Sequence, residues 1–151
     1  MTILLAGSTG FLGRNVLAAL ETAGHTVHKW TRGMSEYHIP SECDVFVNCA
    51  GNTEDPESMY GDNVHLPMEM LEVARSFHKR LIHVGSIAED LPGDSVYQVT
   101  KRAATQLCLS YAKEWGVQVA VVKLSTIYGE GDREDAFLPT LWRSHVQKTA
   151  F

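Results

Sequence analysis

This sequence predicts an α/β domain built on a doubly wound parallel sheet. Two observations support the prediction: five short apolar runs alternate with stretches of helical periodicity, and a glycine-rich turn directly follows the first run. Runs that are apolar at nearly every position are typical of strands covered on both faces, as in parallel sheets. Right-handed crossovers between such strands then favour the Rossmann type of topology.

The predicted strands are short, and the predicted helices have recognisable ends. Strands are expected at residues 3–6, 26–31, 44–48, 81–85 and 117–124. Helices are expected at residues 11–23, from Asp55-Pro56 to about Lys79, and at residues 95–115. Gly24 and Gly116 follow the first and last helices as stop residues, and Asp55-Pro56 is a capping residue followed by a proline at the first helical position. The stretch between Arg32 and Asp44 has too few residues for another helix and strand, so the sheet is expected to be abbreviated between its second and third strands.

The composition limits the classes of function. A chain of 151 residues with 44% hydrophobic residues can bury one domain core, and a net charge of −5 without a basic cluster argues against a nucleic-acid partner. No apolar stretch could span a membrane, and the start of the chain lacks the features of a secretory leader, so a cytoplasmic location is the default expectation. Three cysteines without paired spacing are expected to be reduced and mostly buried, and the scattered histidines predict no metal site.

The glycine-rich turn is the first candidate binding element. It places glycines at positions 7, 10 and 13 between the first strand and the first helix. A glycine there lets the backbone approach a pyrophosphate closely, and the helix N-terminus offers unpaired N–H groups. The turn therefore predicts a dinucleotide site at Gly7, Thr9, Gly10, Phe11, Leu12 and Gly13. The alternative is a glycine-rich turn without a ligand.

Arg32 indicates which dinucleotide is bound. It follows the predicted second strand, where an acidic residue would hold the ribose hydroxyls of NAD and an arginine would pair with the 2′-phosphate of NADP. No Asp or Glu lies between Glu21 and Glu36. NADP is therefore the expected cofactor and NAD the second choice, whereas the alternative for Arg32 is an ordinary surface arginine.

Two further elements predict acid–base chemistry. Tyr97 and Lys101 are four residues apart on a predicted helix and so share a face. An ammonium beside a phenol stabilises the phenolate, which makes the tyrosine a usable acid or base. Ser86 follows the fourth predicted strand, at the sheet edge where ligands bind, and its hydroxyl can hold a substrate oxygen. Taken singly, these residues are equally compatible with a packed tyrosine, a solvated lysine and a turn serine that caps a backbone group.

Together these motifs resemble the short-chain dehydrogenase/reductase superfamily, and most of all its extended branch of nucleotide-sugar epimerases, dehydratases and keto-sugar reductases. Further matching pieces are Asn48-Cys49-Ala50-Gly51, Asp62-Asn63-Val64 and Ser125-Thr126-Ile127-Tyr128-Gly129, all in the family order. The resemblance implies that Tyr97 is the catalytic acid/base and also contacts the cofactor, that Lys101 binds the nicotinamide ribose and tunes Tyr97, and that Ser86 orients the reacting oxygen. It also implies that Cys49, Ala50 and Gly51 line the adenosine side of the cofactor, and that Ser125, Thr126 and Ile127 lie near the nicotinamide.

Asn63 is a fourth candidate catalytic residue. Pro67 has no N–H, so the carbonyl of Asn63 lacks its helical hydrogen-bond donor. That carbonyl could hold a water linked to Lys101 in a proton relay, or the proline could simply kink the helix for packing.

The expected function is NADP(H)-dependent hydride transfer on a carbonyl or alcohol of a nucleotide-linked sugar, by a keto-sugar reductase or an epimerase. Residues 1–132 are expected to form the cofactor domain, and residues 133–151 the start of a truncated or minimal substrate-binding region. A dehydratase would need an acid/base pair next to Ser86, and Glu89 is expected to lie in a solvated loop. The alternatives are a non-enzymatic NADP-binding regulator or scaffold and an α/β module without a ligand. A homodimer is plausible from the resemblance.

Overall fold

A five-stranded parallel sheet forms the centre of the fold, as the apolar runs predict. The computed structural model describes residues 1–31, 33–34, 39–132 and 134–147. Its strands run in the order β2-β1-β3-β4-β5. They are β1 (Thr2–Ala6), β2 (Thr26–Trp30), β3 (Val45–Asn48), β4 (Arg80–Ser86) and β5 (Val119–Leu124). The prediction of a Rossmann-type doubly wound sheet is confirmed.

The helices connect these strands and begin close to where capping residues predict. They are α1 (Phe11–Thr22), α2 (Pro56–Tyr60), α3 (Leu66–Ser76), α4 (Val96–Trp115) and α5 (Phe137–Gln147). α4 opens with a capping box, in which Ser95 and Gln98 each bond the other's backbone N–H, and it ends at Gly116 with φ 68°. A short 3₁₀ helix (Ile87–Asp90) follows β4.

The helix predicted from Asp55 to about Lys79 is in fact interrupted. α2 passes into a π-helical turn (Gly61–His65), in which the Leu66 N–H donates to the Gly61 carbonyl five residues earlier, and α3 follows. The physical reason is Pro67, which has no N–H to continue the regular α-helical pattern from Asn63. α3 ends at Ser76 and β4 starts at Arg80, so Lys79 lies in the connection.

Two apolar clusters pack on opposite faces of the sheet. On one face, Val16, Leu17 and Leu20 of α1 pack against a cluster of strand residues that includes Ile3 and Leu5. On the other face, residues of α3 and α4 pack with strand residues such as Phe46, which is fully buried. Burying a side chain of this size stabilises the fold by about 1.5–3 kcal/mol.

The position of β1 between β2 and β3 creates the switch point of the sheet. The chain leaves β1 through α1 on one face and leaves β3 through α2 and α3 on the other. The loops at the carboxyl ends of β1 and β3 therefore diverge and leave a crevice, which is where ligands bind in open α/β sheets. The register pairs Ala6 with Asn48 at this edge.

β5 and α5 are less well covered than the rest of the fold. No residue of β5 is buried, and the Val122 side chain is 43% exposed although it is apolar. α5 carries the apolar pattern expected of residues 137–146, and Phe137, Trp142 and Val146 are all exposed. These side chains of β5 and α5 form exposed apolar surface.

Candidate active site

The glycine-rich turn after β1 lies at the switch point. Gly7 has φ 75°, and a Cβ there would lie 2.4 Å from the backbone nitrogen of Ala50. A Cβ on Gly13 would lie 1.9 Å from the Gly7 carbonyl oxygen. Both positions thus require glycine, because two backbone segments approach closely. Gly10 caps α1 without a side-chain cap hydrogen bond, so the first N–H groups of α1 are open toward the crevice.

The turn after β3 packs directly on the glycine-rich turn. The Cys49 N–H donates to the Ala6 carbonyl at 3.1 Å, and the Ala50 N–H donates to Oδ1 of Asn48 at 3.0 Å. Burial raises the pKa of the Cys49 thiol to about 11, although the nearby Lys101 lowers it. The thiol is therefore neutral at physiological pH. The structure brings Cys49 and Ala50 against Gly7, and Gly51 follows them in the same turn.

The side chain of Asn63 joins the β3 turn to α4. Its Nδ2 donates to the Asn52 carbonyl at 2.9 Å and to Oγ1 of Thr100 at 3.0 Å, while its Oδ1 accepts from the Asn52 N–H at 2.8 Å. Asn63 is only 1% exposed, so these bonds form away from solvent. A Cβ on Gly51 would lie 3.4 Å from Oδ1 of Asn63 and 3.9 Å from Nζ of Lys101. Three residues predicted from separate motifs therefore meet.

Lys101 reaches this cluster from α4. It is 4% exposed, and its Nζ donates to the Val84 carbonyl of β4 at 2.6 Å. Burial lowers the pKa of Lys101, and the nearby Glu89 and cysteines act in the opposite direction. Tyr97 is half-buried one turn earlier on the same helix, so that the two side chains share a face as predicted.

Ser86 ends β4 at the same edge of the sheet. Its Oγ accepts the Ala88 N–H at 3.2 Å and so caps the 3₁₀ helix. A hydroxyl that accepts one hydrogen bond still has its own proton to donate. The capping role and the proposed substrate contact are therefore compatible.

Glu89 is not the solvated loop residue that the sequence predicts. It is 2% exposed, and its carboxylate Oε1 lies 3.3 Å from Nζ of Lys123 on β5. The sequence could not show this, because the carboxylate turns inward beside Gly85, where the missing Cβ leaves room for it.

The loop after β5 contacts the start of α1. Nη2 of Arg14 donates to the Gly131 carbonyl at 3.1 Å, and a Cβ on Gly129 would lie 3.7 Å from Cζ of Phe11. Three residues of this loop that were predicted to lie near the nicotinamide are exposed: Ser125, Thr126 and Ile127. Next to this loop, a cavity of about 620 Å³ is lined mainly by apolar residues of α5 together with Tyr128 and Gly129.

Thr9, Leu12 and Arg32 are three further predicted cofactor contacts. Thr9 is exposed and Leu12 is half-buried in the first turn around the N-terminus of α1. Arg32 lies outside the described residues. β2 ends at Trp30, which pairs with Ala6, so the strand ends beside the glycine-rich turn.

Sequence reasoning missed the buried polar residues that hold the site together. His83 is fully buried on β4 and contacts Asn48, and Thr100 bonds Asn63. The sequence indicates them only by placing polar side chains, His83 and Thr100, at positions that are otherwise apolar.

Across residues 1–31, 33–34, 39–132 and 134–147, no three metal-ligating side chains group together. Within the same ranges no helix has both the length and the apolar character needed to cross a bilayer.

Residues 3–149 match the model of the NAD dependent epimerase/dehydratase family. The chain belongs to this family. The resemblance to the extended branch of the short-chain dehydrogenases is thereby confirmed.

A curated relative is the UDP-2-acetamido-2,6-beta-L-arabino-hexul-4-ose reductase of Pseudomonas aeruginosa, 30% identical over 141 residues, which cover 88% of this chain and 37% of the relative. Two solved structures, both with NAD, are also similar. UDP-glucuronic acid 4-epimerase from Bacillus cereus has a TM-score of 0.80 and 18% identity, covering 99% of this chain and 65% of that one. dTDP-glucose 4,6-dehydratase from Bacillus anthracis has a TM-score of 0.81 and 18% identity, covering 98% and 62%. This chain thus spans little more than a third of the curated relative and under two thirds of these structures.

Proposed function

We propose that this chain forms the cofactor-binding part of an NADP(H)-dependent oxidoreductase that acts on a carbonyl or alcohol carbon of a nucleotide-linked sugar. The observation that carries the proposal is the meeting of Gly51, Asn63 and Lys101 at the switch point. These residues come from three elements, and they lie at the edge of the sheet where Ser86 ends β4.

The described residues fit a nicotinamide dinucleotide. Gly7 and Gly13 keep the backbone of the first turn close to the β3 turn and to α1, and the N-terminus of α1 offers N–H groups to a pyrophosphate. Ala50 and Gly51 would line its adenosine side, and Lys101 would bind the nicotinamide ribose. When bound, such a cofactor supplies or accepts a hydride at the substrate carbon.

The side chains around Lys101 would handle the proton and the oxygen. Tyr97 gives its phenol proton to the substrate oxygen in reduction and takes it back in oxidation. Ser86 donates its hydroxyl proton in a hydrogen bond to the same oxygen and so fixes its position. As an ammonium, Lys101 would stabilise the Tyr97 phenolate left after proton transfer. Asn63 holds the β3 turn against α4, and its carbonyl remains the candidate for a proton relay.

A nucleotide-linked sugar is the proposed substrate class. The Pseudomonas aeruginosa relative is a reductase of a UDP-linked keto-sugar, and the Bacillus cereus relative is an epimerase of UDP-glucuronic acid. Reduction of a keto-sugar is favoured over epimerisation because the curated relative is the reductase. Residues 1–132 are proposed as the cofactor domain, and residues 133–151, with the cavity beside α5, as the start of the substrate side. A homodimer and a cytoplasmic location stay predictions from the sequence.

NADP rather than NAD is proposed because of Arg32. No acidic residue lies between Glu21 and Glu36, and β2 ends beside the glycine-rich turn. Titration of the chain with NADPH and NADH measures the preference directly. Arg32→Glu is expected to reverse it, since a carboxylate repels the 2′-phosphate and accepts from ribose hydroxyls. Tighter binding of NADH by the unaltered chain would overturn the NADP assignment and leave the dinucleotide site in place.

Turnover of UDP-linked keto-sugars tests the function, with the unaltered chain compared with Tyr97→Phe. The expected result is an unchanged Kd for NADPH and a loss of turnover of at least about 100-fold in the variant. Tyr111→Phe is the matched control, because Tyr111 lies on the same helix and bonds Glu72 away from the cluster. Equal turnover by Tyr97→Phe would remove Tyr97 from the mechanism. NADPH binding without any turnover would instead favour a truncated cofactor-binding domain or a cofactor-binding regulator, and no binding at all would reject the proposed function.

A further inference from the structure

Glu89 carries a buried carboxylate that the proposed chemistry does not use. It is 2% exposed, and neither of its carboxylate oxygens has a hydrogen-bond partner among the described residues. Oε1 lies 3.3 Å from Nζ of Lys123, which is within ion-pair distance, but Lys123 directs its hydrogen bonds to both oxygens of Asp90 at 2.7 and 2.8 Å. A buried carboxylate with so little hydrogen bonding is costly unless positive charge compensates it.

The backbone around Glu89 holds the side chain in its inward direction. Nε of Arg102 donates to the Glu89 carbonyl at 2.9 Å, and Nε2 of Gln98 donates to the Ala88 carbonyl at 3.1 Å. Both donors lie on α4, the helix of Tyr97 and Lys101. A Cβ on Gly85 would lie 2.9 Å from Oε1 of Glu89, so the carboxylate occupies the space that a side chain at position 85 would take.

Lys101 is the other buried ionisable side chain in this region. Its one hydrogen-bond partner in the described residues is the neutral carbonyl of Val84, the residue that precedes Gly85. Burial lowers the pKa of Lys101, and the largest influence that raises it is the charge of Glu89. The buried carboxylate therefore favours the ammonium form of a lysine that burial alone would push toward the neutral amine.

The titratable and charged groups around Lys101 come from every element packed against it. Those that act on Lys101 or are acted on by it are His83 on β4, Glu89 on the 3₁₀ helix, Cys49 on the β3 turn and Cys108 on α4. Lys123 on β5 pairs with Glu89 and with the neighbouring Asp90, and Tyr97 lies one turn before Lys101 on α4. Burial holds the pKa of His83 at about 3 and raises those of Cys49 and Cys108 to about 11 and 12. These three groups are thus neutral near pH 7. The carboxylate of Glu89 lies beside Gly85, next to the Val84 carbonyl that Lys101 bonds, so Glu89 is the buried acidic side chain that acts on Lys101.

We propose that Glu89 is a positioning residue for the Tyr97–Lys101 pair: its buried carboxylate keeps Lys101 in the ammonium form at the Val84 carbonyl. The catalytic use of that charge rests on the proposed function. The charge itself is a property of the chain without substrate, and it is measurable without turnover.

The experiment is a pH titration of Lys101 in the isolated chain. NMR of lysines labelled with ¹³C at Cε monitors the titration, and the spectrum of Lys101→Met identifies the Lys101 signal. Glu89→Gln keeps the shape of the side chain and removes its charge. It is expected to lower the ammonium-to-amine ratio of Lys101 roughly tenfold at a given pH. Asp90→Asn is the matched control, because it removes the neighbouring, exposed carboxylate that Lys123 also contacts, and it is expected to leave the titration of Lys101 unchanged.

A second variant keeps the test valid if Glu89→Gln fails to fold, as judged by the amide spectrum and the thermal unfolding curve. Gly85→Ala retains the carboxylate but displaces it, and it is expected to shift the Lys101 titration in the same direction as Glu89→Gln. Equal Lys101 titrations in Glu89→Gln and Asp90→Asn would overturn the proposal and leave Glu89 a structural anchor of the 3₁₀ helix. A failure of the proposed function would show instead as absent cofactor binding or turnover, with the titration result intact.

Discussion

Nδ2 of Asn48 lies 3.2 Å from Nδ1 of His83, and both side chains are fully buried between β3 and β4. The Asn48 Oδ1 is occupied by the Ala50 N–H, so the amide presents its NH₂ group to the imidazole. His83 therefore accepts at Nδ1 and carries its proton at Nε2, which has no partner in the described residues. This neutral imidazole indirectly positions the turn that packs on Gly7.

The first prediction concerns the stability of the chain between pH 7 and pH 5. Burial, and secondarily Lys101, lowers the pKa of His83 from 6.5 to about 3 in the folded state. The unfolded chain then binds more protons, so the stability that this group contributes is complete above about pH 6.5 and is lost as the pH falls toward 3. Urea unfolding is expected to show a loss approaching about 1.4 kcal/mol per pH unit in the acidic part of this range.

His83→Gln is the variant that isolates this effect. Glutamine offers an acceptor to Asn48 but has no titration in this range, so the variant is expected to show a much flatter stability profile between pH 7 and pH 5. Replacing the exposed His65 by Gln serves as the control and should retain the slope of the unaltered chain. An equally steep slope in His83→Gln would show that His83 is not the group responsible.

The second prediction separates the folding role of the glycine-rich turn from its binding role. Gly13→Ala places a Cβ 1.9 Å from the Gly7 carbonyl and is expected to destabilise the fold by about 2–3 kcal/mol. Gly10→Ala meets only the same carbonyl, at 3.5 Å, and is expected to change the stability by less than about 1 kcal/mol. Its methyl group nevertheless narrows the entrance to the N-terminus of α1, so dinucleotide affinity should fall at least tenfold. Thermal unfolding measures the stability of both variants, and titration with NADPH measures their affinity for the dinucleotide. Unaltered NADPH binding by Gly10→Ala would argue against a pyrophosphate at this turn.

The sequence predicts the fold because the apolar runs and the helix caps act locally. Buried strands such as β3 are apolar at nearly every position, and Ser95 and Gly116 mark the ends of α4 through hydrogen bonds within a few residues. The site residues Gly7, Asn63 and Lys101 could be predicted because each belongs to a short motif with its own spacing. Those motifs identify the residues of the candidate site, and the parallel sheet then brings these residues together at one edge.

The remaining polar residues of the site could not be predicted because their partners are distant in the sequence. His83 depends on Asn48, 35 positions earlier, and Glu89 depends on the gap at Gly85 and on a lysine of the next strand. An acidic residue in a short polar segment has the same local pattern whether it points to solvent or inward. The π-helical turn before Pro67 is likewise not evident from the sequence, which indicates a kink at most, because the periodicity of the surrounding helix is nearly continuous.

The third prediction tests the connection from the β3 turn to α4. Asn63→Ala removes three hydrogen bonds and leaves the Asn52 N–H without its Asn63 partner. The expected cost is about 2–4 kcal/mol in the free energy of unfolding, because buried groups lose their partners. Thr100→Val removes one of the acceptors and is expected to cost less. Asn15→Ala, on the exposed face of α1, is the control and should cost under about 0.5 kcal/mol in urea unfolding. A cost for Asn63→Ala as small as that control would contradict the role assigned to its side chain.

The fourth prediction concerns the far end of α4, where the Tyr111 hydroxyl donates to the Glu72 carboxylate. Arg75 also bonds Glu72, and its guanidinium lies 5.5 Å from the ring centroid of Trp115. Tyr111→Phe is expected to cost about 1–2 kcal/mol at pH 7, since a hydrogen bond to a charged acceptor is lost. Turnover and cofactor binding should be retained, because this group lies outside the cluster at the switch point.

The pH dependence of this difference gives the sharper test. Burial, followed by Glu72, raises the pKa of Tyr111 to about 12 in the folded state, against about 10 in an unfolded chain. The stability that the hydroxyl contributes is therefore complete below pH 10 and is lost as the pH rises toward 12. Urea unfolding of the two proteins between pH 8 and pH 11 should show the advantage of the unaltered chain shrinking above pH 10. An advantage that stays constant across this range would mean that the Tyr111–Glu72 contact does not hold the phenol in its neutral form.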